Sequence, residues 1–454
     1  MSRNNRVELV WEHKYEEKPS VKYKLDIKRD YIFPHRIESG ESLFACPLLN
    51  KADSESRISG RLIQANNLQA MQMLQDEGYK GRIDLIYIDP PYLSQKQYSS
   101  KIKLGDNSFW QPVIFKDKGP ESLDSYLNDL YIRLKIMKEL LSEQGSIFVH
   151  LDWHVSHYVK IILDEIFGVK NFINEIVWCY GGGGSSKRHF HRKHDLIFWY
   201  SRSDRYIFNP QFRSYSEGTM ARGLTKVKGS KYKLRPKGAL MQDWWTDINK
   251  ILSPTAYENV KFPTQKPMAL LERIIASASN PDSLVADFYS GSGTTAAVCE
   301  KLNRRWVVCD ENPLAITTSL QRLVKNKARP LAYIILNTSP KKAKSNNLKV
   351  SVNTHKYNEY YRLVNIKICD YQSREEMEIA NNMSFLSHIQ FWDIDLDYNG
   401  DNFNSHVQII RDKVKWDDAI PASASLLIPY KTSGAIAVRV FDIWGDSCTQ
   451  VIQY

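Results

Sequence analysis

Short continuous apolar runs alternate with apolar residues at helical spacing over much of the chain. RLIQANNLQAMQML, which starts at Arg61, predicts a short strand followed by a helix, and RIDLIYIDPPY predicts a second strand that two prolines terminate. The second strand is apolar at consecutive positions, as expected at the centre of a parallel sheet with helices on both faces. This part of the chain therefore predicts an α/β domain.

The alternation continues beyond a polar stretch, residues 93–119, in which no regular element is predicted. Apolar residues then recur at three- and four-residue spacing and predict a long helix: Leu123, Leu127, Leu130, Leu134, Met137 and Leu141. A strand is then predicted at GSIFVHLD and a helix at VKIILDEIF. Two further strands are predicted at NEIVWCY and DLIFWYS, joined by a loop with glycines at 181–184. Strands that alternate with helices predict a largely parallel sheet.

Residues 267–325 show the same pattern again after an interruption. A helix is predicted near 267–279, a strand at LVADF, a helix after Gly293 and a strand at RWVVCD. A further helix is predicted to begin at Asn312 and Pro313, because asparagine caps a helix and proline suits its first turn.

These patterns divide the chain into five parts. Residues 1–58 mix charges with aromatic residues and are expected to form an N-terminal arm. Residues 59–204 and 261–338 carry the α/β pattern, and residues 205–260 interrupt it. Residues 349–454 follow a polar linker and predict a small, separate, mostly β domain.

The net charge of +11, with an isoelectric point near 9.1, favours a polyanionic partner. Basic residues interleaved with aromatic ones are concentrated in the interrupting segment: Arg205, Arg213, Arg222, Lys226, Lys228, Lys231, Lys233 and Arg235. We expect this segment to contact phosphates and base edges, and the alternative is a solvated basic loop.

Several classes of protein are disfavoured by composition. No apolar run reaches the length of a membrane span, and the polar N-terminus lacks the apolar core of a secretory signal. The six cysteines form no C-x-x-C pair, and His189, His191 and His194 lack a second pair of ligands at metal-site spacing. We therefore expect a cytoplasmic protein without disulfides or a bound metal.

The first candidate chemical motif is Asp89-Pro90-Pro91-Tyr92, at the end of a predicted buried strand. Open α/β sheets bind their ligands at this edge. The exocyclic amine of adenine is a poor nucleophile, and Asp89 with the Pro90 carbonyl can accept its two N–H bonds and free its lone pair. Pro91 makes the turn rigid, and Tyr92 offers a face on which an extruded base can stack. The alternative is a strand-terminating turn in which Tyr92 only packs.

The second motif is DFYSGSGTT, residues 287–295, between a predicted strand and a helix. Its glycines allow close approach of the backbone to a ligand, and Asp310, at the end of the next strand, is placed to bind ribose hydroxyls. The motif lacks the third glycine of a dinucleotide fingerprint and the lysine of a phosphate loop. It is therefore suited to a nucleoside cofactor without phosphates, although a tight packing turn is the alternative.

Together these motifs resemble those of β-class amino-methyltransferases that act on DNA, of the kind found in bacterial restriction–modification systems. The family's D-P-P-Y matches residues 89–92, and its D-P-F-x-G-S-G-T matches residues 287–294, with Phe288 and Tyr289 as departures. The likeness covers roughly residues 60–330. The order of the motifs implies a circularly permuted, Rossmann-like methyltransferase fold with an inserted target-recognition region and a small C-terminal β-rich domain.

The resemblance implies that S-adenosylmethionine is the cofactor. Its implied binding residues are Asn66, Asp89, Thr264, Lys266, Pro267, Asp287, Phe288, Tyr289, Gly291, Gly293, Thr294 and Asp310. The catalytic residues carried over are Asp89, Pro90, Pro91 and Tyr92. Ala65-Asn66-Asn67 stands where the family usually has G-D-N.

The implied activity is site-specific methylation of adenine N6 in double-stranded DNA, within a restriction–modification or related defence system. The aspartate of D-P-P-Y favours adenine over cytosine N4, where serine is usual. The alternatives are a cytosine-N4 enzyme, an RNA substrate and a DNA-binding specificity subunit that needs a partner for activity. The resemblance also suggests a homodimer and restriction or defence-system subunits as partners. The loop with glycines at 181–184 is either a connector or a moving loop beside the target base.

Overall fold

The computed structural model describes the greater part of the chain. The described residues are 8–12, 14, 26–35, 44–45, 58–99, 102–105, 108–117, 122–184, 186–222, 235–251, 253, 256–337, 347–373, 384–411, 420–430 and 435–453.

The described strands are short, and most lie in three sheets. In chain order they are β1 (Asp26–Ile32), β2 (Phe44–Ala45), β3 (Gly60–Gln64), β4 (Ile83–Ile88), β5 (Gln97–Ser99), β6 (Ile102–Gly105), β7 (Ser108–Trp110), β8 (Val113–Lys116), β9 (Leu141–Leu151), β10 (Phe172–Cys179), β11 (His194–Ser201), β12 (Phe212–Arg213), β13 (Ala239–Leu240), β14 (Trp244–Trp245), β15 (Leu284–Asp287), β16 (Arg305–Asp310), β17 (Leu331–Asn337), β18 (Asn347–Lys356), β19 (Tyr361–Gln372), β20 (Ile389–Tyr398), β21 (Asn404–Ser405), β22 (Val407–Ile410), β23 (Ser423–Pro429), β24 (Ala435–Asp442) and β25 (Ser447–Ile452).

Most of the described helices lie in the α/β part of the chain, and one short helix lies in the interrupting segment 205–260. They are α1 (Asn67–Asp76), α2 (Leu123–Leu140), α3 (Ser156–Phe167), α4 (Glu217–Arg222), α5 (Met268–Ala278), α6 (Thr294–Lys301) and α7 (Pro313–Lys325), with single 3-10 turns at Val169–Asn171 and Phe385–His388. In the ranges described here, no helix has the length and apolar character needed to cross a membrane.

The central sheet contains eleven described strands in the order β14-β10-β11-β9-β4-β15-β16-β3-β17-β1-β21. From β9 to β17 all neighbours are parallel, and β11 lies antiparallel between β9 and β10. The late strands β15 and β16 thus lie between the early strands β4 and β3. This order confirms the circularly permuted methyltransferase sheet that the motif order implies.

Helices cover both faces of this sheet, because alternate strand residues point to opposite sides. Ile86 and Val149 pack with α1, α2 and α3 on one face. Leu85 and Phe148 pack with α5, α6 and α7 on the other face. Ligands can therefore reach the sheet only along its strand ends, and the carboxyl ends of β3, β4, β15 and β16 meet at one edge.

Two regions differ from the sequence-based expectation. The N-terminal part, residues 1–58, is not only an arm, because β1 lies in the central sheet antiparallel to β17. The polar stretch 93–119 contains two small antiparallel pairs, β5 with β8 and β6 with β7. β1 was missed because DIKRDYI has no continuous apolar run and pairs with a strand distant in sequence. The small pairs were missed because their strands are only three or four residues long.

The C-terminal strands form two four-stranded sheets around a third apolar core. One sheet has the order β18-β19-β23-β2 and the other β22-β20-β24-β25. The second sheet also packs on the central sheet, where Phe391 and Phe441 stack with ring centroids 4.5 Å apart and join its core. The buried Arg439 binds Asp30 of β1 and Asp393 of β20, with shortest distances of 2.6 and 2.7 Å. The C-terminal region is therefore attached to the central sheet by both apolar and ionic contacts.

Candidate active site

A cavity of about 550 Å³ lies at the carboxyl edge of the central parallel strands, within the range typical of small-molecule sites. It collects most of the residues that the sequence singles out. The predicted site residues that line it are Asn66, Asp89, Pro90, Pro91, Tyr92, Thr264, Lys266, Asp287, Phe288, Tyr289, Gly291, Thr294 and Asp310. Tyr92 ends the D-P-P-Y motif and Asp287 begins the glycine motif, 195 positions later in the sequence. Both motifs nevertheless line the same cavity.

The second motif, residues 287–295, forms a loop at the end of β15 that we call the glycine loop. Asp287 is buried and accepts hydrogen bonds from the Tyr289 amide, at 2.9 Å, and from the Thr295 hydroxyl. Gly291 has a φ of +49° and lies on the cavity, where a ligand can approach its backbone. Gly293 has a φ of +70° and packs against Ser319, behind the lining, as the N-cap of α6. Gly293 therefore shapes the loop but does not line the cavity.

Asp310 ends β16 at the opposite side of the loop. It accepts hydrogen bonds from the amides of Gly291, at 2.8 Å, and Asn312, at 2.9 Å. Desolvation raises the pKa of Asp310 to about 6 and that of Asp287 to about 7, against the hydrogen bonds that lower them. These two carboxylates make the cavity favourable for a ligand that carries positive charge or hydroxyl donors.

Asp89 lies at the end of β4, where both of its carboxylate oxygens have a partner. The Tyr92 hydroxyl donates to Oδ1, and the Lys266 ammonium group forms an ion pair with Oδ2. The side chains of Asp89 and Lys266 are 17% and 12% exposed, so the pair is largely sheltered but still open to the cavity. A donor that enters the cavity can reach Asp89 beside these partners or in place of one of them, because a carboxylate has about four acceptor sites.

The segment before α5 brings Lys266 to the site. Thr264 lines the cavity with a φ of +62°, and Pro267 is the N-cap residue of α5 outside the lining. Asn66 caps α1 by accepting a hydrogen bond from the Leu68 amide at 3.0 Å, so its side chain has a structural task beside any ligand contact.

One face of α2 supplies lining residues that the sequence analysis missed. Tyr126, Leu130 and Arg133 all line the cavity, at spacings of four and three residues. The Tyr126 hydroxyl donates to the Pro91 carbonyl at 2.8 Å, and Arg133 Nε donates to Asn67 Oδ1 at 2.6 Å. The helical spacing of a tyrosine and an arginine within an apolar stripe was the available signal, since a buried guanidinium requires a polar partner.

The loop after Tyr92 folds around the carboxylate of Asp117. That carboxylate accepts hydrogen bonds from the amides of Leu93 and Ser94, both at 3.0 Å. Leu93 and Gln95 have positive φ angles of 58° and 62°. Through these hydrogen bonds Asp117 holds the segment that follows the D-P-P-Y motif. Asp117 also lines the cavity.

A buried polar network lies beside Tyr92 on the neighbouring strands. His150 contacts the Tyr87 hydroxyl at 2.9 Å and Asp195 at 3.3 Å, and Tyr180 donates to Asp195 at 2.8 Å. Burial favours a higher pKa for Asp195, but His150 and the nearby Lys250 and Lys266 outweigh it and lower the pKa to about 2. An ionised carboxylate thus fixes the aromatic residues that flank the D-P-P-Y motif.

The basic segment is only partly described. Lys226, Lys228, Lys231 and Lys233 lie outside the described residues, and so does the side chain of Arg222. Arg213 bonds Gln242 at 2.9 Å, and the Arg235 amide bonds Tyr215 at 2.7 Å. Arg205 pairs with Glu143 near the start of β9, at the edge of the sheet opposite the cavity. Its position does not support the expected contact with DNA at the site, and its charge is matched locally.

Comparisons with known proteins identify a family that matches this chain. A family model described as DNA methylase matches residues 83–321, more than half of the chain. The type II methyltransferase M.EcaI of Enterobacter cloacae is 27% identical over 369 residues, covering 68% of this chain and 78% of that protein. The DNA adenine methyltransferase YhdJ of Escherichia coli K12 is 26% identical over 244 residues, covering 53% and 76%. The crystal structure of an M1.HpyAVI–SAM complex aligns with a TM-score of 0.38 and 20% identity, over 58% of this chain and 98% of that one.

Proposed function

This chain belongs to the DNA methylase family, and from that premise we propose that it methylates the N6 amino group of adenine in double-stranded DNA. The observation that carries the proposal is Asp89 at the carboxyl end of β4, with a carboxylate whose two partners are exchangeable donors on the cavity side. An exocyclic amine is a donor of the same kind. It can replace Lys266 or Tyr92 without leaving the carboxylate unpaired.

The methyl donor of this family is S-adenosylmethionine, which supplies an electrophilic methyl group on a sulfonium centre. The residues present fit it. The desolvated carboxylates of Asp287 and Asp310 suit a cationic ligand with hydroxyl donors, and Gly291 leaves its backbone open on the cavity. We assign Asp310 to the ribose and the loop 287–294 to the methionine side.

Asp89 and the Pro90 carbonyl would orient the target amine by accepting its N–H bonds. Tyr92 would stack on the base once it has left the duplex, since N6 lies inside the stack of paired bases. Tyr126 holds the Pro91 carbonyl and fixes the turn that carries both groups. The nitrogen gains a methyl group and loses a proton, for which Asp89 is the adjacent acceptor. Positioning and electrostatics therefore supply most of the catalysis.

Association with a second copy, or with restriction or defence-system subunits, is also proposed on family grounds. Activity of the purified chain alone would show that no other protein is needed for the transfer. A chain that binds the cofactor but methylates DNA only with a partner would instead match the alternative of a specificity subunit.

The test is sequencing of single genomic DNA molecules from a methylation-free host that expresses this chain alone. We expect N6-methyladenine at one recurrent sequence, which would also reveal the recognition site. A host that expresses Asp89→Ala serves as the matched control and should carry no modification. Recovery of N4-methylcytosine from nucleoside digests would show that the target base is cytosine and not adenine. An unmodified genome together with methylated RNA would show that the substrate is RNA and not DNA.

A further inference from the structure

The connection between β10 and β11 projects from the same edge of the sheet as the active site. β10 runs in the direction of β4, because it is antiparallel to β11, which is antiparallel to β9, which is parallel to β4. The last residue of β10, Cys179, therefore lies at the carboxyl edge. The connection ends at His194, where β11 begins. We call residues 186–193 of this connection the basic finger.

The stem of the connection is held by specific contacts. The Tyr180 amide donates to the Lys193 carbonyl at 3.0 Å, and Lys193 Nζ donates to the Gly183 carbonyl at 2.9 Å. A β-carbon on Gly184 would lie 2.4 Å from the ring of the exposed His191, so a larger residue at this position would require the ring to move. Gly184 therefore allows the His191 ring to pack closely against the other side of the stem.

The basic finger combines one exposed aromatic residue with cationic side chains. Six of its eight residues are lysine, arginine or histidine, and none is acidic. Phe190 is 98% exposed, although phenylalanine is one of the residues most often buried. The guanidinium group of Arg192 lies 3.9 Å from the ring centroid of Trp153, which anchors this side of the finger to the residues that follow β9.

Contacts connect the stem directly to the D-P-P-Y motif. Tyr180 donates to Asp195, Asp195 contacts His150, and the His150 ring lies 6.3 Å from the ring of Tyr92. Lys250 lies 3.6 Å from the Tyr180 ring centroid and adds a cation beside the stem. Two side chains, Asp195 and His150, thus separate Tyr180 of the stem from the proposed stacking face for the target base.

We propose that the basic finger binds duplex DNA and that Phe190 inserts into the base stack at the position from which the target nucleotide leaves. This inference rests on the proposed function, because it assigns a residue to the extrusion step that methylation of N6 requires. The cationic side chains bind phosphates on both sides of the insertion and hold the finger in the groove. The aromatic ring gains stacking partners that it lacks in the free protein.

The sign of the charge favours nucleic acid over a protein partner. An exposed phenylalanine alone fits many partners, but a segment of eight residues with four lysine or arginine side chains, two histidines and no acid matches a polyanion. Its stem leaves the sheet at the same edge as Asp89, where a duplex must open for the target base to enter. Exposure, charge and location therefore agree on a single occupant.

The experiment compares the wild-type chain with Phe190→Ala and Phe190→Trp on a duplex that contains the recognition sequence. A matched control is Val169→Ala, since Val169 is 70% exposed and precedes β10 at the opposite edge of the sheet. The readouts are the methylation rate, the fluorescence of 2-aminopurine at the target position, duplex affinity by fluorescence polarisation, and cofactor affinity by calorimetry. A second duplex carries an abasic site opposite the target adenine, so that the base is already unpaired.

We expect Phe190→Ala to lower kcat/KM on the paired duplex by about 10- to 100-fold, the range for loss of one aromatic–base stack. The 2-aminopurine signal should fall with it, while cofactor affinity stays unchanged. On the abasic duplex the deficit should shrink to within about 3-fold, and Phe190→Trp should retain most of the wild-type activity. Val169→Ala should match the wild type on both duplexes.

Other outcomes separate the two proposals. If the wild type methylates DNA and Phe190→Ala equals it, or loses the same factor on both duplexes, the role of Phe190 is overturned and the proposed function stands. If the wild type does not methylate DNA, the proposed function fails. If the wild type and Phe190→Ala then also bind the duplex with equal affinity, the role of the basic finger in DNA binding is excluded as well. Full activity of Phe190→Ala in vitro with loss of methylation only in cells would assign the finger to a protein partner and overturn the inference.

Discussion

The ammonium group of Lys266 forms an ion pair with Oδ2 of Asp89, although the two residues lie on segments 177 positions apart in the sequence. Asp89 belongs to the D-P-P-Y turn, and Lys266 precedes the helix that follows the inserted segment. The ammonium group of Lys266 neutralises the charge of the Asp89 carboxylate before a substrate amine enters the cavity. If the proposed function is correct, an entering amine donates to a carboxylate whose charge Lys266 already neutralises, so that no isolated buried charge forms as long as the pair persists.

Replacement of Asp89 should abolish methylation without loss of the cofactor site. We expect Asp89→Ala to lower kcat by at least about 100-fold, because it removes an acceptor that orients and polarises the amine. Its affinity for S-adenosylmethionine should stay within about 3-fold of the wild type, since Asp287 and Asp310 lie on the other strands of the cavity. Calorimetry and a tritium-transfer assay measure the two quantities. Retained transfer would remove Asp89 from the reaction, and lost cofactor affinity would place it in the cofactor site.

Cofactor affinity should depend on pH through Asp310. The pKa of Asp310 is raised to about 6 by desolvation, and we expect its ionised form to accept the ribose hydroxyl protons. The association constant should therefore rise by about 10-fold between pH 5 and pH 8 and level off above pH 7. Asp310→Asn should bind more weakly and show a smaller pH dependence in calorimetry, whereas the exposed Asp204→Asn should follow the wild type. An identical pH dependence in Asp310→Asn would contradict the assignment.

The stability of the cofactor-free protein should show the opposite pH dependence. The folded-state pKa values of Asp287 and Asp310, about 7 and about 6, lie above the ordinary value of 3.8. The folded state therefore binds more protons than the unfolded state between about pH 4 and pH 7, and the free energy of unfolding falls as the pH rises through that window. Chemical denaturation should show a smaller fall for Asp310→Asn than for the wild type. A difference between the two proteins that does not change with pH would refute the raised pKa.

The parts of the fold that the sequence predicted are those encoded by local pattern. The strand ends at Asp89 and Asp310 were predictable because each follows an apolar run, and the permuted order follows from which motif comes first. The position of β1 was not predictable, because DIKRDYI is charged at most of its exposed positions and the buried Asp30 has its partners, Arg439 and the Phe403 amide, far away in the sequence. Such a pairing joins residues 409 positions apart and leaves no trace in either local segment.

The active site shows the same division. The polar motifs were predicted individually, and their meeting around one cavity followed from their positions at parallel strand ends. Tyr126 and Arg133 were missed because, at helical spacing, they occur within a stripe that also predicts a core face. The Lys266–Asp89 pair could not be foreseen, since it depends on how the segment before α5 returns to the sheet after the insertion.

Gly293 should be required for folding of the glycine loop. Its φ of +70° is unfavourable for other residues, and a β-carbon would lie 2.6 Å from the Ser319 hydroxyl oxygen. We expect Gly293→Ala to lower the free energy of unfolding by about 2 kcal/mol or more, from backbone strain and the steric conflict together. The control is Gly183→Ala, where a β-carbon meets no atom within 4 Å, and its stability should stay within about 0.5 kcal/mol of the wild type. Equal stabilities in urea titrations would contradict this role.

The buried ion pairs of Arg439 should hold the C-terminal region on the catalytic sheet. Arg439 is 2% exposed, and its loss would leave the carboxylates of Asp30 and Asp393 buried without their shared cation. We expect Arg439→Met to lower the free energy of unfolding by about 3–5 kcal/mol, because an unmatched buried charge costs more than a lost surface contact. Arg205→Ala is the control, since Arg205 and Glu143 are 65% and 62% exposed, and such pairs contribute about 0–1 kcal/mol. If Arg439→Met unfolded at the wild-type denaturant concentration, the two regions would be held together by their apolar contacts alone.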